Sequence, residues 1–145
     1  SLRLSAGDDV LEIGTGSGFL TACLARLAGQ VTSVDIFPDL LEGADARLKS
    51  LDVGNVRLQQ MDAMQVLPEG RFDAIAVGGS MPIFDRRLFE ILEPGGRLFV
   101  VVGTGPVMDA RLVMRAEDDR PRVTSLFETS VPPLINAPTP PAFTF

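Results

Sequence analysis

Val10-Leu11-Glu12-Ile13-Gly14-Thr15-Gly16-Ser17-Gly18 decides the fold. An apolar strand carrying one acid, Glu12, runs into glycines at alternating positions, and an apolar helical pattern from Phe19 to Ala28 follows at once. Glycines spaced this way let the chain turn tightly from strand into helix with no Cβ in the way, so a ligand can lie against the main chain at the helix N-terminus. A second acid, Asp35, ends the next apolar run 21 residues after Gly14. That is about the separation at which α/β nucleotide folds place the acid that holds a ribose.

Outward from this loop, strand and helix patterns alternate. Asp9 to Ile13 reads as a first strand, Ser17 to Ala28 as a helix closed by Gly29, and Val31 to Asp35 as a second strand. Pro38 fits the first turn of a helix running to about Leu51, because its fixed φ and missing N–H cost nothing there. Gly54-Asn55 breaks that helix before a third strand, Val56 to Met61. Phe72 to Val77 reads as a fourth strand, whose unbroken run Ala74 to Val77 suits burial on both faces. A helix is expected over Ile83 to Leu92, stopped by Glu93-Pro94-Gly95-Gly96, then a fifth strand over Leu98 to Val102. This order implies parallel strands with right-handed crossovers, a Rossmann-like doubly wound α/β sheet.

The last third changes character. Ala110 to Ala116 and Arg122 to Glu128 alternate like two strands around the polar turn Glu117-Asp118-Asp119-Arg120-Pro121, so the mostly parallel sheet should end in an antiparallel hairpin. Residues 130–145 hold five of the eleven prolines, which rules out a central strand or helix there. The expected organisation is a core over 1–129 and a proline-rich surface tail over 130–145.

Composition bounds the function. The 145 residues suffice for one domain with a real core, and 46% apolar with 22% charged residues describes a globular chain. The net charge of −6 and the lack of any Lys/Arg run argue against broad nucleic-acid or anionic-membrane binding. No apolar stretch approaches the length of a membrane-spanning helix. A single cysteine, Cys23, leaves no intrachain disulfide and fits a reducing compartment, so a cytoplasmic location is expected. The chain has no histidine, which excludes His-dependent triads and His metal sites. The acidic turn at 117–119 fits no metal loop with a glycine and a distal ligand, so no metal is expected. Cys23, mid-helix among Leu20, Leu24 and Leu27, reads as a buried small apolar residue, and the scattered methionines as core filling.

The glycine spacing is E-x-G-x-G-x-G rather than G-x-G-x-x-G, which points from NAD towards S-adenosylmethionine. Together with Glu93-Pro-Gly-Gly-Arg-Leu98 and Leu126-Phe-Glu-Thr-Ser-Val-Pro-Pro-Leu134, it makes the chain resemble the class I S-adenosylmethionine-dependent methyltransferases. Within that superfamily it most resembles the protein-L-isoaspartate O-methyltransferases. The first two motifs mark the superfamily and the third the family. Those proteins usually carry an N-terminal segment of several dozen residues covering the cofactor, and this segment is expected to be absent here. The family also prefers Tyr where this chain has Phe19 and an Ala/Pro run where it has Gly78-Gly-Ser-Met-Pro82.

The resemblance implies methyl transfer to the carboxylate of an isoaspartyl residue in a damaged protein or peptide. It also implies a cofactor site. Gly14, Gly16 and Gly18, with Thr15 and Ser17 between them, would receive the methionine portion of the cofactor. Glu12 would face its ammonium, directly or through water, and Asp35 would accept from both ribose hydroxyls. Asp62, beside Ala63, would accept from the adenine amino group, or else cap a turn. Ile36 would pack on adenine or ribose, or be plain core. Phe19, Gly79 and Ser80 are the substrate-side candidates, Ser80 being equally readable as a turn residue. The alternatives are a corrin-pathway-like small-molecule methyltransferase, a cofactor-binding module without turnover, and a nicotinamide dehydrogenase, the last disfavoured by the glycine spacing.

Overall fold

The computed structural model describes residues 2–137. Seven strands form one sheet in the order β3-β2-β1-β4-β5-β6-β7. In chain order these are β1 (Asp9–Ile13), β2 (Gln30–Asp35), β3 (Val56–Gln60), β4 (Phe72–Met81), β5 (Leu92–Val102), β6 (Met108–Arg115) and β7 (Pro121–Thr129). The helices are α1 (Phe19–Leu27), α2 (Pro38–Ser50) and α3 (Arg86–Glu90). Strands β1 to β5 pair in parallel and β6 and β7 antiparallel. This is the doubly wound, mostly parallel sheet with a terminal hairpin that the element order implies.

Alternation along each strand sorts the core into two layers. Val10, Val31, Ala74 and Ala76 pack towards Leu24, Ala25 and Ala28 of the α1 segment. Leu11, Ile13, Val34, Ile75 and Val77 face the other way and meet Leu88 and Phe89 of α3. Leu11, Ile75, Leu88 and Leu98 are wholly buried, each stabilising the fold by roughly 1.5–3 kcal/mol.

Several elements differ from expectation. Helix α3 spans five residues instead of the ten from Ile83 to Leu92. Asp85 is extended and its side chain accepts from the Arg87 N–H, so it caps the helix and sets its start. At the other end Leu92 is already paired with Phe72 in the sheet. Residues between Leu92 and Arg97 bulge out of the β4–β5 ladder, where Gly95 takes φ +78°. Strand β4 continues through Gly78-Gly79-Ser80 to Met81, four residues beyond the Val77 at which the sequence pattern ends it. Cys23 is exposed rather than buried: α1 turns Thr21, Ala22, Leu24 and Ala25 inward, which puts Cys23 on the outer face beside Leu20 and Leu27. In the hairpin, Leu126 is an extra residue between the Ala110–Phe127 and Arg111–Ser125 pairs, a local bulge in the edge strand.

The proline-rich segment, as far as it is described, lies on the sheet. Ser80 donates its N–H to Pro132 O at 3.0 Å and accepts from the Leu134 N–H at 2.9 Å, a short parallel bridge opposite Pro133. The rest of the expected tail, 138–145, lies outside the described residues.

Candidate functional site

The chain runs outward in one direction from β1 to β3 and in the other from β4, so β1 and β4 are neighbours at the point where the order reverses. Open α/β sheets bind ligands in the crevice beyond the carboxyl ends of such strands. Here that crevice is a cavity of about 420 Å³, within the ~300–1,000 Å³ typical of small-molecule sites.

One wall is the loop between β1 and α1. Gly14, Gly16 and Gly18 take φ of +95°, +54° and +86°, a region that costs an L-residue roughly 1–2 kcal/mol. Gly18 is also sterically required, because a Cβ there would stand 2.9 Å from the Ala44 Cβ of α2. Arg47, one turn further along α2, donates from Nη1 to Ser17 O at 2.6 Å. The loop is therefore clamped from above by α2 and held from β2 by Asp35, whose Oδ2 accepts the Gly16 N–H at 3.0 Å. Gly14 and Gly16 line the cavity, whereas Thr15, Ser17, Gly18 and Phe19 do not. Phe19 is 76% exposed at the start of α1.

A second wall comes from β2 and the segment after β3. Asp35 and Ile36 line the cavity with Phe37 and Leu40, and Asp62 and Ala63 with Met61 and Met64. Asp62 Oδ1 accepts the Met64 N–H at 3.0 Å and Oδ2 accepts from Asn136 Nδ2 at 2.7 Å. Arg87 fixes this segment from behind: its Nη2 donates to Met64 O at 2.8 Å and Ala63 O at 3.3 Å while pairing with Asp85. Burial pushes the Asp85 carboxyl up, but the hydrogen bonds and charge of Arg87 outweigh it and hold the group below the usual carboxylate range.

The third wall is the end of β4 with the docked segment. Gly78 and Gly79 line the cavity, faced by Pro132 to Ile135. A Cβ at Gly79 would stand 2.7 Å from Leu134 Cδ2, so the small residue admits the segment. Ser80 is fully buried, its Oγ donating to Val131 O at 2.9 Å. Its role is to moor the segment, and it does not reach the cavity.

Glu12 lies beneath the loop, 1% exposed. Its Oε1 accepts from Thr21 Oγ1 and, at 2.6 Å, from Ser33 Oγ. Oε2 has no partner, the one such buried side-chain atom among the described residues. Burial, chiefly, and the nearby Asp35 charge raise its pKa above the ordinary value, against the two hydroxyl bonds.

Sequence reasoning thus locates Gly14, Gly16, Asp35, Ile36, Asp62, Ala63 and Gly79 around one cavity. It misses the cavity-lining role of residues 132–135 and the buried partners of Glu12. A serine inside the apolar run Val31 to Val34, beside a strand carrying a buried acid, is the signal that points to Ser33.

The profile of the family described as protein-L-isoaspartate(D-aspartate) O-methyltransferase (PCMT) matches residues 1–137. The chain belongs to this family. A protein-L-isoaspartate O-methyltransferase 1 of Anaeromyxobacter sp. (strain Fw109-5) is 40% identical over 139 residues, 94% of this chain and 66% of the relative. The corresponding protein of Brucella anthropi is 41% identical over 105 residues, 72% of this chain and 48% of the relative. The chain thus spans about half to two thirds of the length of these family members. Among solved structures, the fold matches a beta-aspartate methyltransferase (PCMT) from Plasmodium falciparum in complex with S-adenosyl-L-homocysteine. That match has a TM-score of 0.79 and 22% identity, covering 92% of this chain and 68% of the other. A methyltransferase from Thiobacillus denitrificans, also in complex with S-adenosyl-L-homocysteine, aligns with a TM-score of 0.61 and 31% identity, over 69% of this chain and 44% of the other.

Proposed function

We propose that this chain binds S-adenosylmethionine in the switch-point cavity and transfers its methyl group to the carboxylate of isoaspartyl residues in damaged proteins or peptides. Family membership supports the reaction, and the placement of Asp35 and Asp62 along one wall of a crevice edged by Gly14 and Gly16 carries the site.

The residues fit the cofactor on several counts. In this reading Asp35, at the end of β2, accepts from the ribose hydroxyls, and Asp62, one oxygen of which also accepts from Asn136, accepts from the adenine amino group. Ile36, Ala63, Leu40 and Met64 supply an apolar lining for the adenine face. The unpartnered Oε2 of Glu12 is the kind of buried acceptor that a cationic ligand group would satisfy. The glycine loop, Thr15 and Ser17 included, brings the N-terminus of α1 towards a carboxylate at the amino-acid end. Gly79 and Phe19 stand on the substrate side in this reading, and Ser80 serves by holding residues 131–134. The division into a core over 1–129 and a segment over 130–145 belongs to the same proposal, with the described part of the segment closing one side of the cavity.

When bound, S-adenosylmethionine supplies an electrophilic methyl on a sulfonium. A carboxylate acceptor is already a nucleophile at neutral pH, so no side chain has to remove a proton from it. This chain's residues then contribute orientation, worth up to roughly 7–11 kcal/mol in ideal cases, and a fixed polar surround for the reacting charges. The lack of histidine is no obstacle to such chemistry. No helix among the described residues is long and apolar enough to cross a membrane, and the lone cysteine supports a cytoplasmic setting.

Calorimetry should show S-adenosylmethionine or S-adenosylhomocysteine binding, with most of the affinity lost in Asp35→Ala. Binding of NAD instead would sink the assignment. Methyl ester formed on an isoaspartyl peptide supports the reaction. Cofactor binding with no ester, in this chain and in one extended to the full length of its relatives, would leave a binding module.

A further inference from the structure

Four buried polar side chains from four different elements meet beneath the glycine loop: Glu12 on β1, Thr15 in the loop, Thr21 on α1 and Ser33 on β2. Their hydrogen bonds have a direction. Ser33 has one hydroxyl proton and donates it to Glu12 Oε1. In the 2.7 Å contact between Thr15 Oγ1 and Ser33 Oγ, Thr15 is therefore the donor. Thr21 donates to the same Oε1. Two hydroxyls thus converge on one carboxylate oxygen, and the other has none.

The asymmetry has a physical cost. A buried acceptor without a donor loses its hydration and gains nothing in return. Had the network served only to stabilise the fold, one hydroxyl on each oxygen would have served it better. Doubling the donors on Oε1 instead fixes the carboxylate in one orientation and keeps Oε2 free. Glu12 itself does not line the cavity, but Ile13 and Gly14, the next two residues, do, so its carboxylate lies behind that lining on the side of α1, where Thr21 holds it.

We propose that Thr21 and Ser33 are positioning residues that lock Glu12 through Oε1 and reserve Oε2 for the ammonium at the amino-acid end of the cofactor. Thr15 extends the lock to the glycine loop through Ser33. This rests on the cofactor reading given above and adds to it the residues that select for a cationic amino-acid end.

The test compares two ligands. S-adenosylhomocysteine carries the amino-acid end, and 5′-methylthioadenosine carries the same adenosine and thioether without it. In Ser33→Ala and Thr21→Val, affinity for S-adenosylhomocysteine should fall about tenfold, the loss of one hydrogen bond to a charged group. Affinity for 5′-methylthioadenosine should hold within about twofold, within the scatter usual for a site left intact. Thr21→Ser, which keeps the hydroxyl, should restore the preference. Equal losses for both ligands, or no loss for either, would overturn the positioning role while leaving the cofactor site standing. Failure of the unsubstituted chain to bind S-adenosylhomocysteine would overturn the cofactor reading and this inference with it. Should Ser33→Ala not fold, Thr21→Val read against Thr21→Ser carries the same comparison.

Discussion

Asp35 Oδ2 accepts the N–H of Gly16 at 3.0 Å, and its Oδ1 accepts the N–H of Phe37 at the same distance. One carboxylate therefore ties the glycine loop to the turn that starts α2, and both donors are main-chain groups. Any ligand that bonds to Asp35 meets a side chain whose orientation is already set by the two segments that border the cavity.

The amide replacement Asp35→Asn exposes this double duty. An asparagine offers one acceptor oxygen and one NH2, so it can satisfy either Gly16 or Phe37 but not both, whichever way it flips. One N–H then loses its acceptor, and the cost is on the order of 1–3 kcal/mol. Amide hydrogen exchange should speed up at Gly16 or Phe37 and leave the β1–β4 ladder unchanged. Uniform protection across the loop would contradict the tie.

Two glycine-to-alanine substitutions should move stability in opposite directions. Gly18→Ala places a Cβ at φ +86° and 2.9 Å from the Ala44 Cβ, so unfolding should become easier by roughly 1–3 kcal/mol. Gly43 lies inside α2 with open space around it. Gly43→Ala should stabilise by about 0.5–1 kcal/mol. Urea unfolding midpoints for the pair give both signs in one experiment, and a stabilising Gly18→Ala would refute the close approach.

Arg87 links α3 to the segment that carries Asp62 and Ala63. Its guanidinium reaches Ala63 O, Met64 O and Asp85 together. Arg87→Met keeps the stem and deletes these bonds, leaving the carbonyls and a buried-side carboxylate short of a donor. Stability should drop by about 1–3 kcal/mol. Adenosine-containing ligands should bind more weakly by about threefold or more, the scale of a slightly displaced contact. Unchanged ligand affinity would mean that the segment keeps its place without the arginine.

How far the chain could be read before its structure differs by region. The parallel half was legible because its strands are apolar runs and its turns carry Gly or Pro; Val10 to Ile13, Val31 to Val34 and Ala74 to Val77 land in the sheet as read. Asp35 and Asp62 could be singled out as crevice residues because each stands at or just past the carboxyl end of its strand, and both line the cavity, Asp62 also capping the turn at Met64. Around β4 the reading failed for a local reason. The apolar run stops at Val77, before Gly78-Gly79-Ser80, yet Pro132 and Leu134 supply the hydrogen bonds and packing that keep those residues in the sheet. That support comes from more than fifty residues along the chain, beyond any local pattern. Helix α3 was overread because apolar periodicity outweighed the Asp85 cap. Cys23 was misplaced because an apolar stripe with both faces rich in Leu does not say which face is inward.

Glu12 sets a pH dependence of its own. Burial raises its pKa above the ordinary 4.5, so the folded state binds this proton more tightly than the unfolded chain does. The resulting stability is fully present below about pH 4.5 and is lost as pH rises through the folded value. The lowered carboxylates behave in the opposite sense. Asp8, held down despite its burial by Ser5 and Arg97, and Asp85, held down by Arg87, stabilise above the ordinary aspartate value and fail as pH falls through their depressed ones. The two effects therefore occupy separate windows, one above about pH 4.5 and one below about pH 4. Glu12→Gln removes only the upper one. Its stability relative to the unsubstituted chain should rise with pH from about 4.5 and level off once Glu12 would have been fully ionised, on top of a pH-independent offset from the new amide. Urea unfolding at a series of pH values reads the difference directly. A difference that stays flat across that window would show that Glu12 titrates alike in the folded and unfolded chains.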